Sequence, residues 1–465
     1  MLWNFLKEKM GKHLSKTVGE NGSTMTYEEL IIFSERMGEK LWGEKCCAIY
    51  CKSEFAAAIA VLGCFAANVT AVPLSPRYGE KHCRKILELV SPTCLITDDD
   101  GELKVHYISD YKYVTPEESP ALIMCTSGTT GVPKGAMLSG KNIVTNVRDI
   151  CRYFSMDERD TILISRPLYH AAVLTGEFLA ALVKGVNIEF YSESFNPIEI
   201  IKIWKEKDIT VFCGTPTSLT LMARFADEGD TYAIKHVVVS GECMSAGTGA
   251  RLAKAFNRAK IYHVYGLTEA CPRVSYLPPE YFSRYSDCVG VPLYSVGIKI
   301  ADIYGNVLKS GKKGVLWVRG DNIMMGYYNA NSETKKIMKN GWLCTKDIAS
   351  ITKDGWLKIY GRSDDMIIRA GMNIYPAEIE AELKKDERTK EALVYGISDK
   401  NGTVQIALDI SGDFKDKNEV RTMCKSFLSA YQMPTVINLM ESLPKNGSGK
   451  IIRKRNCRGG GEDGS

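Results

Sequence analysis

The chain has 465 residues, 45% of them hydrophobic and 25% charged, with a formal net charge of +5. That length exceeds one ordinary core, so two or three compact units are expected, and the composition excludes disordered and fibrous classes. So mild a positive charge gives no reason to invoke nucleic acid, and fifteen scattered cysteines with no C-x-x-C pair read as free thiols of a reducing cytoplasm.

The first clear helix opens in "TMTYEELIIFSERMGEKL", where Thr26 and Glu29 make a capping box and Leu30, Phe33, Met37 and Leu41 follow at helical spacing. Next, "FAAAIAVLGCFAANVTAVPL" at 55–74 has the length of a membrane span and no charge. Asn68 and Pro73 interrupt it, so a buried helix and then a short strand ending at Pro73 are predicted, and no membrane span. "CCAIYC" precedes that stretch as a strand, and a charged helix at 84–90 and the strand "TCLIT" follow it. "DTILISRPL", "VNIEFY", "DITVFCG" and "KHVVVSG" continue the alternation. Short β-rich runs, each followed by a helix, imply a largely parallel sheet. After about Val289 the texture becomes strand–turn–strand, in "GIKIADIYGNVLKSGKKGVLWVRG" and "ASITKDGWLKIYG". A boundary falls near Arg362. Residues 1–361 then form a large N-terminal unit, 362–455 a small α+β unit, and 456–465 a disordered tail.

Four stretches carry chemistry. "TSGTTGVPKG" at 126–135 combines glycines, hydroxyls and Lys134, a composition that suits an anion cradle. It is not a P-loop, because no Ser or Thr follows a Gly-Lys pair, and alone it reads as a flexible turn. In "HVYGLTEACPR", Tyr265 can pack on a flat base, Gly266 permits close approach, Thr268 can donate to phosphate and Glu269 can hold Mg²⁺. Alone it is a strand end with a helix cap. Asp347 suits a pair of ribose hydroxyls and Arg362 a phosphate or ribose edge, whereas the plainer reading is a surface ion pair. "PKNGSGKIIRKR" sets Lys450 after a Gly-Ser-Gly turn, where a charge run is usually a solvated face.

Together and in this order, these stretches resemble the acyl-adenylate-forming superfamily: acyl-CoA synthetases, adenylation domains of peptide synthetases, and luciferases. The resemblance spans about 27–454 and also rests on "ANVTAVPLSP", "PLYH", "VVSGE", "GVLWVRGDNIMMGYYN" and "GRSDDMIIRAGMNIYPAEIE". It implies an α/β fold: a large N-terminal domain of mixed and parallel sheets layered with helices, a distorted β-barrel-like part, and a small mobile α+β C-terminal domain. It implies that Thr126, Ser127, Gly128, Thr129, Thr130 and Lys134 hold the β- and γ-phosphates of ATP. Thr268 would contact the α-phosphate and Glu269 would hold Mg²⁺. Gly241, Glu242, Tyr265 and Gly266 would enclose the adenine, and Asp347 with Arg362 the ribose. Lys450 would bridge the attacking carboxylate and the α-phosphate. Asp364 would be the hinge on which the small domain rotates, bringing the stretch around Gly371 to the site. Lys346 stands where the motif usually has glycine.

The acyl pocket would draw on His170, also counted among the catalytic residues, with Ala171, Thr175, Ser240, Gly241 and Val264. Amino-acid-activating relatives carry an aspartate at the place of Ala171, and alanine cannot neutralise a buried ammonium. Arg273 could meet a polar group of the substrate, but is expected at the surface or behind the site. The implied activity joins a carboxylic acid lacking an α-amino group, aryl or aliphatic, to CoA or to the phosphopantetheine of an acyl or peptidyl carrier protein. Three alternatives stand beside it: an adenylation enzyme dedicated to a carrier protein, a luciferase-type oxygenase, and a non-catalytic nucleotide-binding scaffold.

Overall fold

The computed structural model describes residues 1–99, 101–109, 113–126, 133–302, 304–309, 311–369, 372–398, 404–445 and 451–453. The Ala-rich stretch forms the helix Glu54–Ala67, started by Ser53, whose hydroxyl accepts from the Ala56 amide, and stopped by Asn68 at φ 56°. The strand Thr70–Pro73 follows at once. Among the described residues no helix is long and apolar enough to cross a membrane.

The capping box of Thr26 and Glu29 starts the helix Tyr27–Lys40. Its inward row is Tyr27, Leu30, Ile31, Ser34, Met37 and Gly38. Phe33, expected on that face, is instead 45% exposed. At 100° per residue it lies roughly 100° from the centre of the row, too far round to reach the core. The helix packs closely on Glu54–Ala67: a Cβ at Gly63 would come within 2.5 Å of the Met37 side chain.

Strand–helix alternation produces two sheets rather than one. The first has seven strands, in the order Gly326–Tyr327, Lys134–Leu138, Leu122–Thr126, Thr70–Pro73, Cys46–Tyr50, Cys94–Asp99, Glu102–Tyr107. The second has nine: Val291–Pro292, Arg273–Leu277, Lys260–Gly266, His236–Val239, Val211–Gly214, Thr161–Ile164, Asn187–Phe190, Thr17–Glu20, Ser23–Thr26. Each is parallel in the middle and antiparallel at its edges. Strands and helices from both sheets share one apolar core, which also takes in the helices Leu2–Met10 and Gly140–Tyr153.

A five-stranded antiparallel sheet follows, built from Val296–Ala301, Gly314–Gly320, Trp342–Ile351, Met338–Lys339 and Leu357–Arg362. Register shifts between Val315 and Trp317 and between Ile348 and Ala349 bend its strands, the usual effect of a bulge. Beyond it, Pro376–Leu383 and Lys417–Phe427 pack with the strands Thr389–Ser398, Val404–Gly412 and Val436–Leu439 around a separate core of Ile379, Leu383, Val394, Leu408 and Val420. One tie to the antiparallel sheet is Lys313, whose ammonium lies 2.5 Å from Glu378 and over the rings of Tyr360 and Tyr375.

Gly290 joins the nine-stranded sheet to the antiparallel one: its carbonyl accepts from the Leu357 amide (2.7 Å), and Val289 donates to the Leu357 carbonyl (2.8 Å). Its φ is +77°, and an added Cβ would fall 1.9 Å from the Tyr276 carbonyl oxygen. Backbone cannot yield as a flexible side chain does. Gly290→Ala is therefore expected to destabilise the protein by on the order of 3 kcal/mol, combining left-handed strain with the clash. A urea midpoint equal to that of the parent protein would contradict this.

Candidate active site

Parallel pairing sets the site. The strands Thr161–Ile164, Val211–Gly214, His236–Val239 and Lys260–Gly266 run side by side, with Val211 opposite Ile162 and His236 and Val239 opposite His263. Their carboxyl ends therefore share one edge, the place where open α/β sheets present ligand-binding loops. Arg166 to Ala171, Thr215, Ser240 to Glu242, and Tyr265 to Glu269 all leave from it.

At this edge Gly241 adopts φ +93° and is exposed, and Glu242 Oε2 accepts from the hydroxyl of Thr217 (2.7 Å). Gly266 is glycine for a reason internal to the fold, since a Cβ would meet the Pro272 carbonyl oxygen at 2.1 Å. The next turn, Thr268–Ala270, half-buries Thr268 and Glu269.

Two carboxylates at the site, Asp347 and Glu269, each hold a tyrosine. Tyr265 donates from its hydroxyl to Asp347 Oδ2 (2.5 Å), and burial together with that carboxylate pushes the phenol pKa well up. Arg362 sits opposite Asp347 on the paired strand, its Nη1 3.4 Å from Oδ1 and 3.2 Å from the Thr345 carbonyl. Thr345 receives the Asp347 amide on its own hydroxyl, which donates to the Leu316 carbonyl. Lys346 takes φ +61°, the left-handed conformation for which glycine is suited. Its ammonium reaches Asp364 (3.4 Å), which lies exposed in the turn Ser363–Asp365.

Tyr327 likewise donates to Glu269 Oε1 (2.6 Å), and the Lys134 ammonium stands over the Tyr327 ring at 5.4 Å. Lys134 pairs with Glu333 at 2.5 Å. Hydrogen bonds from Lys134 and then Lys336 hold the Glu333 carboxyl down to about 2. Thr126 pairs with Lys134 across the hairpin, so both ends of the glycine-rich loop are placed beside Glu269 and Tyr327. Ser127, Gly128, Thr129 and Thr130 lie outside the described residues, as do Gly371, Lys450 and 456–465.

Of the residues read as the acyl pocket, Ala171, Thr175, Ser240 and Val264 are buried. The Thr175 hydroxyl is engaged with the carbonyls of Ala171 (2.8 Å) and Cys271 (3.2 Å). Loss of hydration, and then Arg166 and Arg77, push His170 down to about 3. Arg273 is not at the surface. It is 2% exposed, wedged against Gly176, with its amide and carbonyl held by Asn146. Charge lies beside these small residues: Arg166 pairs with the fully buried Glu177, and its Nη1 lies 3.4 Å from Ser240 Oγ. Tyr327, Glu333, Thr217, Arg166 and Glu177 escaped the sequence reading. Tyr327 and Arg166 stand inside or beside "GYYN" and "PLYH", and the others had no local signal.

The family model described as AMP-binding enzyme matches residues 6–328, and the one for the AMP-binding enzyme C-terminal domain matches 378–450. A long-chain-fatty-acid–CoA ligase of Yersinia pestis is 31% identical over 358 residues, 74% of this chain and 62% of that protein. The matched stretch therefore spans less than two thirds of that relative. A 2-succinylbenzoate–CoA ligase of Bacillus subtilis is 27% identical over 460 residues, covering 93% of this chain and 92% of the relative. The structure of an o-succinylbenzoate CoA synthetase from Bacillus subtilis, solved with its acyl-adenylate intermediate, superimposes with a TM-score of 0.85 over 97% of each chain, at 25% identity.

Keeping His170 neutral makes stability depend on pH. The folded state keeps the ring neutral while the unfolded chain takes a proton below about 6.5, so its contribution to stability is complete above that pH and is lost as pH falls toward 3. The His170 ring resonance is expected to stay constant in NMR spectra from pH 8 to pH 5. A titration midpoint within that range would remove the buried neutral ring from the account.

Proposed function

The chain belongs to the AMP-binding enzyme family, and on that premise we propose that it is an AMP-forming acid–thiol ligase. It activates a carboxylic acid lacking an α-amino group with ATP and passes the acyl group to a pantetheine thiol, that of CoA or of an acyl or peptidyl carrier protein. Residence in the cytoplasm, where ATP and CoA are available, belongs to the same reading. The observation that carries it is the gathering, at one sheet edge, of the Tyr265–Asp347–Arg362 group, the Tyr327–Glu269 pair and the hairpin bearing Thr126 and Lys134. The curated relatives named above join acids to CoA.

In this reading the adenine lies between Gly241, Glu242, Tyr265 and Gly266, and Asp347 accepts from the ribose hydroxyls while its other contacts hold it in place. Arg362 stands beside the ribose. The hairpin loop from Thr126 to Lys134 takes the β- and γ-phosphates, which exchange Glu333 for phosphate as the partner of Lys134. Thr268 donates to the α-phosphate. Glu269 fits Mg²⁺, since one carboxylate together with substrate phosphates is the donor set that ion favours. Mg²⁺ bound there would offset negative charge on the phosphate oxygens.

In the first half-reaction an acid carboxylate oxygen bonds to the α-phosphorus and pyrophosphate leaves. Two anions approach each other, and Lys450 offsets the charge that accumulates as they do. In the second, the thiol sulfur bonds to the acyl carbonyl carbon and AMP leaves. Residues 362–455 move between the two steps about Asp364, an exposed position that is ion-paired to Lys346.

Two outcomes are expected. Lys450→Ala should raise the barrier to adenylation by on the order of 2–4 kcal/mol, as loss of one preorganised charge contact does. Synthetic acyl-AMP should restore thioester formation in this variant. Adenylation at the parent rate would overturn the role given to Lys450. Asp364→Pro fixes φ at the hinge, so ATP–pyrophosphate exchange should persist while thioester output collapses. If both half-reactions fall together, or neither falls, Asp364 serves only its turn.

A further inference from the structure

A charged group lies beside the residues read as the acyl pocket and apart from those read as nucleotide-binding. Ile162 and Ile164 face the core shared by the two sheets, as do Val211, Cys213, Val238 and Val264. Alternation along the chain puts Arg166 and Ser240 on that same face. Across from it run residues 171–184, whose middle, Leu174–Leu179, is a π-helical stretch. Such stretches are uncommon and occur often at functional sites, because the widened turn redirects a side chain. This one places Glu177, 1% exposed, against Arg166. On the neighbouring strand Arg273, 2% exposed, lays its guanidinium on Gly176, where a Cβ would come within 3.1 Å of Nη2. The buried thiol of Cys213 senses all three charges.

Of the three charges acting on the Cys213 thiol, two are guanidiniums and one is a carboxylate, and His170, acted on by Arg166, is neutral at ordinary pH. The group is not closed on itself as a purely structural triad would be. Among the described residues, Arg166 Nε, Glu177 Oε2, Arg273 Nε and the hydroxyl of Ser275 are buried with no hydrogen-bond partner. Leaving buried donors and a net positive charge in an apolar interior is costly unless something supplies acceptors and negative charge. The group adjoins two residues that the resemblance assigns to the acyl pocket: Arg166 reaches Ser240 and acts on His170.

We propose that Arg166, oriented by Glu177 and backed by the positive charge of Arg273, binds a second carboxylate at the far end of the acid, so that the substrate is a dicarboxylic acid. This rests on the ligase reading and narrows it. Glu177 holds the guanidinium in place, and the second carboxylate supplies the missing negative charge. An acid with an apolar end strands the same donors, and sites built to bond a polar group reject analogues lacking it by large factors.

The test is ATP–pyrophosphate exchange by the purified full chain on length-matched pairs, each a monocarboxylate with its α,ω-dicarboxylate from four to ten carbons, and benzoate with its dicarboxylate counterparts. The best dicarboxylate is expected to exceed its partner in kcat/KM by about 100-fold or more. Arg166→Met should bring that ratio toward one, chiefly through KM, and Arg166→Lys should keep part of the preference. AMP binding and thermal melting check that the variants fold, and the panel on the parent protein decides the question if Arg166→Met does not. Monocarboxylates equal to or better than their partners throughout would overturn the proposal, as would an Arg166→Met that lowers both classes equally. Exchange with neither class would overturn the ligase reading itself, and this inference with it.

Discussion

Parallel strand pairing is the constraint on which the rest of the molecule depends. Two parallel strands cannot be joined by a tight turn, so each must be followed by a crossover, and all the crossovers begin on one edge. In the nine-stranded sheet that edge receives the residues after Ile164, Gly214, Val239 and Gly266. Side chains far apart in sequence are thereby placed side by side with no help from one another. The antiparallel sheet adds Asp347 and Arg362, and the seven-stranded sheet adds the Thr126–Lys134 hairpin.

Electrostatics then determines how such an edge is held when it carries so many polar groups. Asp347 and Glu269 each accept from a tyrosine hydroxyl, and Lys134 is paired with Glu333. A carboxylate fixed by a phenol keeps its orientation and keeps oxygen surface for a ligand. A lysine on a flexible stem does not, and its ion pair with Glu333 is half-exposed, the kind of pair that contributes little and exchanges readily. The rigid contacts therefore fall on the groups read as nucleotide-binding carboxylates, and the exchangeable one on the group read as phosphate-binding. Around Glu177 and Arg273 the pattern is reversed, with both charges buried and, among the described residues, several polar atoms unpaired.

Much of the site was legible because its chemistry is local in sequence. Tyr265, Gly266, Thr268 and Glu269 fall within five residues, and Thr126 and Lys134 within nine, since each set decorates one loop or turn. What escaped is what reaches the site from elsewhere. Glu333 comes from a short helix after the seven-stranded sheet, and nothing around it marks a phosphate site. Arg273 looked like an ordinary charged residue beside a motif, and only the strand pairing and the close approach of Gly176 bury it. Lys346 looked like a departure from a glycine motif, yet its backbone takes the left-handed turn.

Sequence by itself determined the elements and their punctuation: the capping box at Thr26, the stop at Asn68, the strand ending at Pro73, and the change of texture after Val289. Those follow from hydrogen bonding and side-chain shape within a few residues, which a linear reading can see. It also carried the motif order from which the family was read. Tertiary structure alone decided that the alternating strands divide into two sheets, that Phe33 faces out, that Arg166 meets the buried Glu177, and that Arg273 is buried against Gly176. These depend on which distant surfaces meet. Burial and pairing energies belong to such meetings, so periodicity constrains them only through which face is apolar, never through which partner covers it.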